Sequence, residues 1–297
     1  MAGMTRSTGR PPQPYRWPLS SFGGGAPARL GTLAEGPARS RPGYLPELVE
    51  CTGKVLARSH AADLCFVGRS LDTMYDLLTG VLEGADRPGG LRRLPLSLRG
   101  AHTLGPVGRD RLRTHLAEAG LEPYALARRK RPLALVDVVS AGSTFDAIHG
   151  ELSAWIAESR EPWAVIRRKL RYVGVTIRGR SSPHQWRWQQ SPESVRWVRT
   201  LPAGHVVNVS MHWRTWSWFG NEQPKLHRSF PPSRWFEPDA ARARHHETLP
   251  QALAEARAVV AAGRTRETRR DLVRAMAAEP GFADREVRAL AAAIRVP

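Results

Sequence analysis

The sequence predicts an α/β fold: a doubly wound, mostly parallel sheet carrying a Trp-rich segment and a C-terminal helical appendage. Three observations carry that expectation. Short apolar runs alternate with stretches of helical periodicity between residues 45 and 177, the order of a sheet built from right-handed crossovers. The runs are almost wholly apolar, as strands covered on both faces are. Two of them end in turns that contain Gly and Ser, at the strand ends where such sheets bind ligands.

Residues 1–44 are rich in Pro, Gly, Ser and Arg and include Pro11-Pro12 and Gly23-Gly24-Gly25. They read as a disordered or loosely draped arm. Residues 46–59 set Leu48, Val49, Val55 and Leu56 at helical spacing. Residues 61–67 (AADLCFV) read as a buried strand that ends at Gly68-Arg69-Ser70. Ser70 is the expected N-cap of a helix over 71–82, whose Leu71, Met74, Tyr75, Leu78 and Leu82 form one apolar face. Asp72 and Asp76 share another face of that helix and read as surface acids. Strands are expected at 91–98, 132–137, 170–177 and 206–209. Helices are expected at 109–119, closed by Gly120, and at 144–158.

Residues 181–236 hold seven of the ten tryptophans. Their periodicity is poor, so loops and short helices are expected, with most of the indoles packed against the sheet. Residues 249–262, 266–278 and 284–294 read as three amphipathic helices, punctuated by Gly263 and Pro280-Gly281. The expected organisation is therefore an arm at 1–44, an α/β domain at 45–236 that includes the Trp-rich segment, and a helical region at 237–297.

The chain has 297 residues and a net charge of +18, mostly from Arg. Such a field attracts anions: nucleic acid, an anionic membrane or a polyphosphate substrate. The Arg residues are dispersed, which is also what a GC-rich coding bias produces. No run of eighteen apolar residues is present, so no membrane span is expected. The first residues lack the apolar core of a secretory signal. Cys51 and Cys65 make neither a disulfide framework nor a zinc spacing and read as core residues in a reducing, cytoplasmic setting. His245-His246 lies in an Arg-rich stretch and reads as solvated. His149 and Glu151 have no partner at a catalytic or metal-binding spacing.

The sharpest signal is residues 133–145, LALVDVVSAGSTF. An apolar strand delivers Asp137 to its carboxyl end, small hydroxyl residues and one Gly follow, and a helix begins. Gly142 permits a tight turn and a close backbone approach. Amides at the helix start bind phosphate, helped by the helix dipole. Ser140, Ser143 and Thr144 add hydroxyl donors. Asp137, ionised, accepts from a ribose diol or a hydrated Mg²⁺. The competing reading is an ordinary turn with Ser143 or Thr144 as the N-cap. No GxxxxGK[ST] run is present, and this turn is not GxGxxG.

This strand–turn–helix resembles the ribose-5-phosphate loop of the type I phosphoribosyltransferases. In that family a strand ends in paired acidic residues and a Thr/Gly-rich loop opens a helix. Matched on Gly142, Asp137 takes the second acidic position and Val136 the first, while Ser140-Ala141 replaces the Thr-Thr of many members. The family's pyrophosphate loop, after its first core strand, is matched by Val67-Gly68-Arg69-Ser70, about seventy residues upstream. The resemblance covers roughly residues 45–177. It implies Asp137 as the catalytic residue, Ser140, Ala141, Gly142, Ser143 and Thr144 as the 5-phosphate cradle, and Gly68, Arg69 and Ser70 as the diphosphate site. It implies Mg²⁺ as cofactor, held through the substrate or Asp137 and not by a dedicated protein cage.

The family's flexible loop corresponds to residues 84–108, with Arg87, Arg92, Arg93 and Arg99. Arg92 and Arg93 also read as flanking an exposed strand end. The family's acceptor hood corresponds to the Trp-rich segment, where Trp186 and Trp188 are the expected stacking residues. The implied activity is displacement of pyrophosphate from phosphoribosyl pyrophosphate by an aromatic or nucleobase-like acceptor. The implied partners are phosphoribosyl pyrophosphate and that small acceptor; a homodimer is compatible, and no membrane partner is expected.

Two alternatives stand beside this one. A nucleic-acid-binding protein fits the high pI, the basic stretches at 128–131 and 167–169 and the interleaved Trp. A non-catalytic, nucleotide-sensing member of the same fold fits Val136.

Overall fold

The computed structural model describes residues 11–17, 19, 42–84, 90–98, 104–179 and 187–295. Five strands form one sheet: β1 (Asp63–Val67), β2 (Leu91–Leu94), β3 (Leu133–Val138), β4 (Leu170–Ile177) and β5 (Val206–Met211). All pairings are parallel and the spatial order is β2-β1-β3-β4-β5. The helices in chain order are α1 (Leu45–Arg58), α2 (Asp72–Val81), α3 (Pro106–Glu118), α4 (Pro123–Arg128), α5 (Ser143–Glu158), α6 (Trp163–Ile166), α7 (Pro192–Val198), α8 (Trp213–Ser217), α9 (Leu249–Arg264), α10 (Arg266–Ala277) and α11 (Arg285–Arg295). This is the expected α/β class with helices on both faces of a parallel sheet.

Strand periodicity sorts the side chains between two layers. Leu64, Phe66, Ala134, Val136, Val173 and Val175 face a core shared with α1, α2, α10 and α11. Cys65, Val67, Leu133, Leu135, Leu170 and Tyr172 face the other, shared with α3, α5 and three of the tryptophans. Both cysteines are buried, and burial pushes each thiol up to about 12.

The C-terminal helices, expected as an appendage, instead complete the first layer. Val259, Leu272, Val273, Met276 and Val287 lie in the same core as β3 and β4. The packing is close because glycine faces backbone at the crossings. A Cβ on Gly80 of α2 would fall 2.1 Å from the Val260 carbonyl of α9, and one on Gly263 would fall 2.5 Å from the Leu77 carbonyl.

Strand β2 stops at Leu94, short of the expected 91–98, because Pro95 has no N–H for a ladder. Strand β5 runs two residues longer than expected, to Met211. Residues 11–17 of the arm lie draped against the body, with Trp17 buried beside Leu226, Leu249 and Leu253. Among the described residues, no helix is long and apolar enough to cross a membrane.

Candidate functional site

The chain leaves β1 toward β2 on one side and returns to β3 on the other, so the strand order reverses between β1 and β3. Ligands of open parallel sheets bind at that reversal, beyond the strand carboxyl ends. A cleft of about 290 Å³ opens there. It is lined by Gly68, Arg69 and Ser70 from the β1–α2 turn and by Asp137, Ser143 and Thr144 from the β3–α5 turn. The two turns singled out in the sequence thus face one space. Pro95 to Leu98, within the segment matched to the family's flexible loop, complete it, together with Gly220, Lys225, Ser229 and Phe230 of the Trp-rich segment, none of which the sequence singled out.

The β3–α5 turn is held from behind. Gly142 is the N-cap of α5 with φ of 90°, and α5 has no side-chain cap. Ser143 and Thr144, the alternative N-caps, are helical residues. Among the described residues the hydroxyls of Ser140, Ser143 and Thr144 have no hydrogen-bond partner. A Cβ at position 142 would lie 2.6 Å from Trp188 Cε3, so only Gly fits both the backbone and the space. Trp188 donates to Asn208 Oδ1 of β5 (2.7 Å). Asp146 in the first turn of α5 accepts from Ser194 Oγ (2.6 Å) and Trp197 Nε1 (2.7 Å).

Asp137 is 7 % exposed. Burial pushes its carboxyl up to about 8, opposed by the Val138 amide, which donates to Oδ1 at 2.7 Å. Val136, at the first acidic position of the family's pattern, points to the opposite face. It is fully buried among aliphatic side chains, where a carboxylate would have no polar partner.

The β1–α2 turn is held by a different kind of structure. Leu71, not Ser70, occupies the α2 N-cap. Asp72 and Asp76, expected on the surface, are 5 % and 3 % exposed. The face they share is covered by the arm and the Trp-rich segment, which local periodicity does not report. Arg16 of the arm donates to both Asp76 oxygens (2.6 and 2.7 Å) and stands 3.7 Å from Asp72. His227 Nε2 meets Asp72 Oδ2 at 2.9 Å, and Arg93 lies 3.9 Å from Asp72. Burial alone would raise the Asp72 carboxyl, but His227, Arg16 and Arg93 together hold it well below the carboxylate range. Arg69 donates to the His227 carbonyl (2.8 Å), which fixes the guanidinium at the cleft wall.

Lys225 reaches the same wall. Its Nζ donates to Gln223 Oε1 (2.6 Å) and the Phe219 carbonyl (3.0 Å), with the Ser70 carbonyl at 3.4 Å. Gln223 Nε2 donates to Glu255 of α9 at 2.7 Å. Only one amide orientation suits a donor-only ammonium on one side and an acceptor-only carboxylate on the other. Residues Trp218–Glu222 form a π-helical turn that brings Gly220 to the cleft, a local irregularity common at functional sites.

Other expected site residues fall elsewhere. Trp188, expected to stack on an acceptor, is 2 % exposed and packs behind Gly142, so it supports the loop and offers no free face. Trp186, Arg87 and Arg99 lie outside the described residues. Trp197 and Trp235 are buried and Trp213 is exposed. In the basic stretch 128–131, Arg128 pairs with Glu161, Arg129 with Asp63 and Arg131 with Glu286. His149 stacks on Trp197 with 4.4 Å between centroids and meets the Tyr172 hydroxyl at 3.0 Å, inside the core. Glu151 pairs with Arg113 at 2.5 Å. Compared with protein-family models, with curated proteins and with solved structures, the chain matches none.

Proposed function

We propose that the cleft binds phosphoribosyl pyrophosphate and that the protein is a phosphoribosyltransferase-like enzyme. One observation carries this reading. Two turns separated by about seventy residues, each read from sequence as an anion loop, line one cleft at the strand-order reversal. A substrate with phosphate at one end of a ribose and diphosphate at the other has that two-ended shape.

In this reading the amides and hydroxyls of Ser143 and Thr144, with Ser140 beside them, receive the 5-phosphate at the α5 N-terminus. Gly68, Arg69 and Ser70 receive the diphosphate, the Arg in a charge-assisted bond. Asp137, at the end of β3 in the same cleft, holds a ribose hydroxyl. The acceptor's lone pair forms a bond to C1 as the C1–O bond to diphosphate breaks, and that electron pair leaves with pyrophosphate. The protein's work is positioning and stabilising the departing charge.

Among the described residues, no cluster of three His, Cys, Asp or Glu could cage a metal. Asp137 is the sole carboxylate among the residues lining the cleft. With that donor set, an Mg²⁺ that arrived with the diphosphate would be held on the protein side by Asp137, through a water. Mg²⁺ would there neutralise the leaving group's charge.

The test is pyrophosphate release from Mg-phosphoribosyl pyrophosphate in the presence of a panel of nucleobases and aromatic amines. Acceptor-dependent release is expected, and Asp137→Asn should raise the barrier by about 2–4 kcal/mol. Val136 favours a second reading, a ligand-sensing protein with the same cleft. Binding of the same ligand without release under any acceptor would support that one.

A further inference from the structure

We infer that Lys225, delivered by the Trp-rich segment and tied to α9 through Gln223, is a cation that holds the diphosphate of the cleft's ligand. The inference rests on the reading of the cleft given above and adds a residue that lies outside both sequence loops. Lys225 lines the cleft with Gly68, Arg69 and Ser70. Two of its three donors are engaged at 2.6 and 3.0 Å. The third reaches the Ser70 carbonyl at 3.4 Å, the longest and weakest of its three bonds and the one an anion at this wall would displace.

The charges around it favour an anionic ligand. Arg69, from the β1–α2 turn, is the second cation at this wall. Asp72 and Asp76, on α2, are already engaged by Arg16, His227 and Arg93. Glu255, on α9, accepts from Gln223, Tyr44 and Trp218. Burial pulls the Lys225 ammonium down to about 8, opposed mainly by Asp72, with Arg69 adding to the fall. An anion bound at this wall stabilises the protonated form, so diphosphate affinity falls as pH rises through 8 and Lys225 loses its proton.

The experiment is calorimetric titration of the full chain with inorganic pyrophosphate, and separately with ribose 5-phosphate, at pH 7 and pH 9. Wild type, Lys225→Met and Lys225→Arg are compared. Lys225→Met should weaken pyrophosphate binding at pH 7 at least tenfold and leave ribose 5-phosphate within twofold, which also shows that the variant is folded. Lys225→Arg should restore pyrophosphate binding at pH 7. Its affinity should fall less than that of wild type between pH 7 and 9, because Arg does not titrate there. Both proteins share the titrations of the ligand and of Asp137, so the difference reports Lys225. Pyrophosphate binding by Lys225→Met within twofold of wild type overturns the assignment alone. Wild type that binds neither ligand overturns the reading of the cleft, and this inference with it.

Discussion

The two loops of the cleft are built in opposite ways. The β3–α5 turn is local: Asp137, Ser140, Gly142, Ser143 and Thr144 come from one stretch of eight positions, and its support is packing by Trp188 and a carboxylate in the first turn of α5. The β1–α2 turn is assembled. Its immediate shell is Arg16 from the arm, Arg93 from β2, and Gln223, Lys225 and His227 from the Trp-rich segment, backed by Glu255 of α9. A loop held by shape tolerates little volume. A loop held by buried charge tolerates little change in ionisation.

That contrast can be broken or sharpened by substitution. The largest effect is expected at the assembled loop. Asp72→Ala leaves His227, Arg16 and Arg93 without their shared partner. It should cost about 3–5 kcal/mol of stability, the usual penalty for an uncompensated buried charge, read by urea unfolding. A cost below about 1 kcal/mol would mean that the network does not hold the turn.

Next in size is Gly142→Ala. A Cβ must find room 2.6 Å from Trp188 at a φ of 90°. Strain of about 1–3 kcal/mol is expected, and the melting temperature should fall together with ribose 5-phosphate binding. Binding retained at wild-type affinity would separate the turn from the ligand.

Third is a dependence on pH. The Asp137 carboxyl is raised from its ordinary value to about 8 by burial. Its contribution to stability is therefore complete below about pH 4 and is lost as pH rises toward 8, because the folded state then holds a proton that the unfolded state has released. The slope is at most about 1.4 kcal/mol per pH unit. Asp137→Asn should flatten stability across that window. The same slope in both proteins would assign the titration elsewhere.

The smallest effect on stability is expected from Ser143→Ala and Thr144→Val, within about 0.5 kcal/mol, because neither hydroxyl has a hydrogen-bond partner among the described residues. Each should nevertheless weaken ribose 5-phosphate by roughly tenfold, or about 1.4 kcal/mol. Unchanged affinity in the double variant would remove the hydroxyls from the cradle.

The difference between the loops also explains what could be read from the chain. Strands 133–138 and 170–177 announce themselves because a doubly covered strand is apolar on both faces. The β3–α5 turn was legible for the same reason: its chemistry is contiguous. Asp72 and Asp76 misled because helical periodicity reports which face is polar and not which face is covered. Arg16 and Lys225 stand 56 and 153 positions from Asp72, and no local pattern connects them. The C-terminal helices were legible one by one. Their place in the sheet's own layer was not, since Gly263, expected to punctuate two helices, lies inside α9 with its face against the backbone of α2, and nothing local to Gly80 signals that approach. Trp188 had the right neighbourhood and the wrong role, because an indole behind a glycine and an indole over a ligand look alike in sequence.

The central claim is that both loops serve one ligand. Thermal unfolding of the full chain with and without Mg-phosphoribosyl pyrophosphate tests it most directly. At a hundred times the dissociation constant the ligand should add about 2.7 kcal/mol of stability, more than inorganic pyrophosphate or ribose 5-phosphate gives at the same concentration. An unmoved melting temperature, or a shift no larger than that given by either half-ligand, would contradict it.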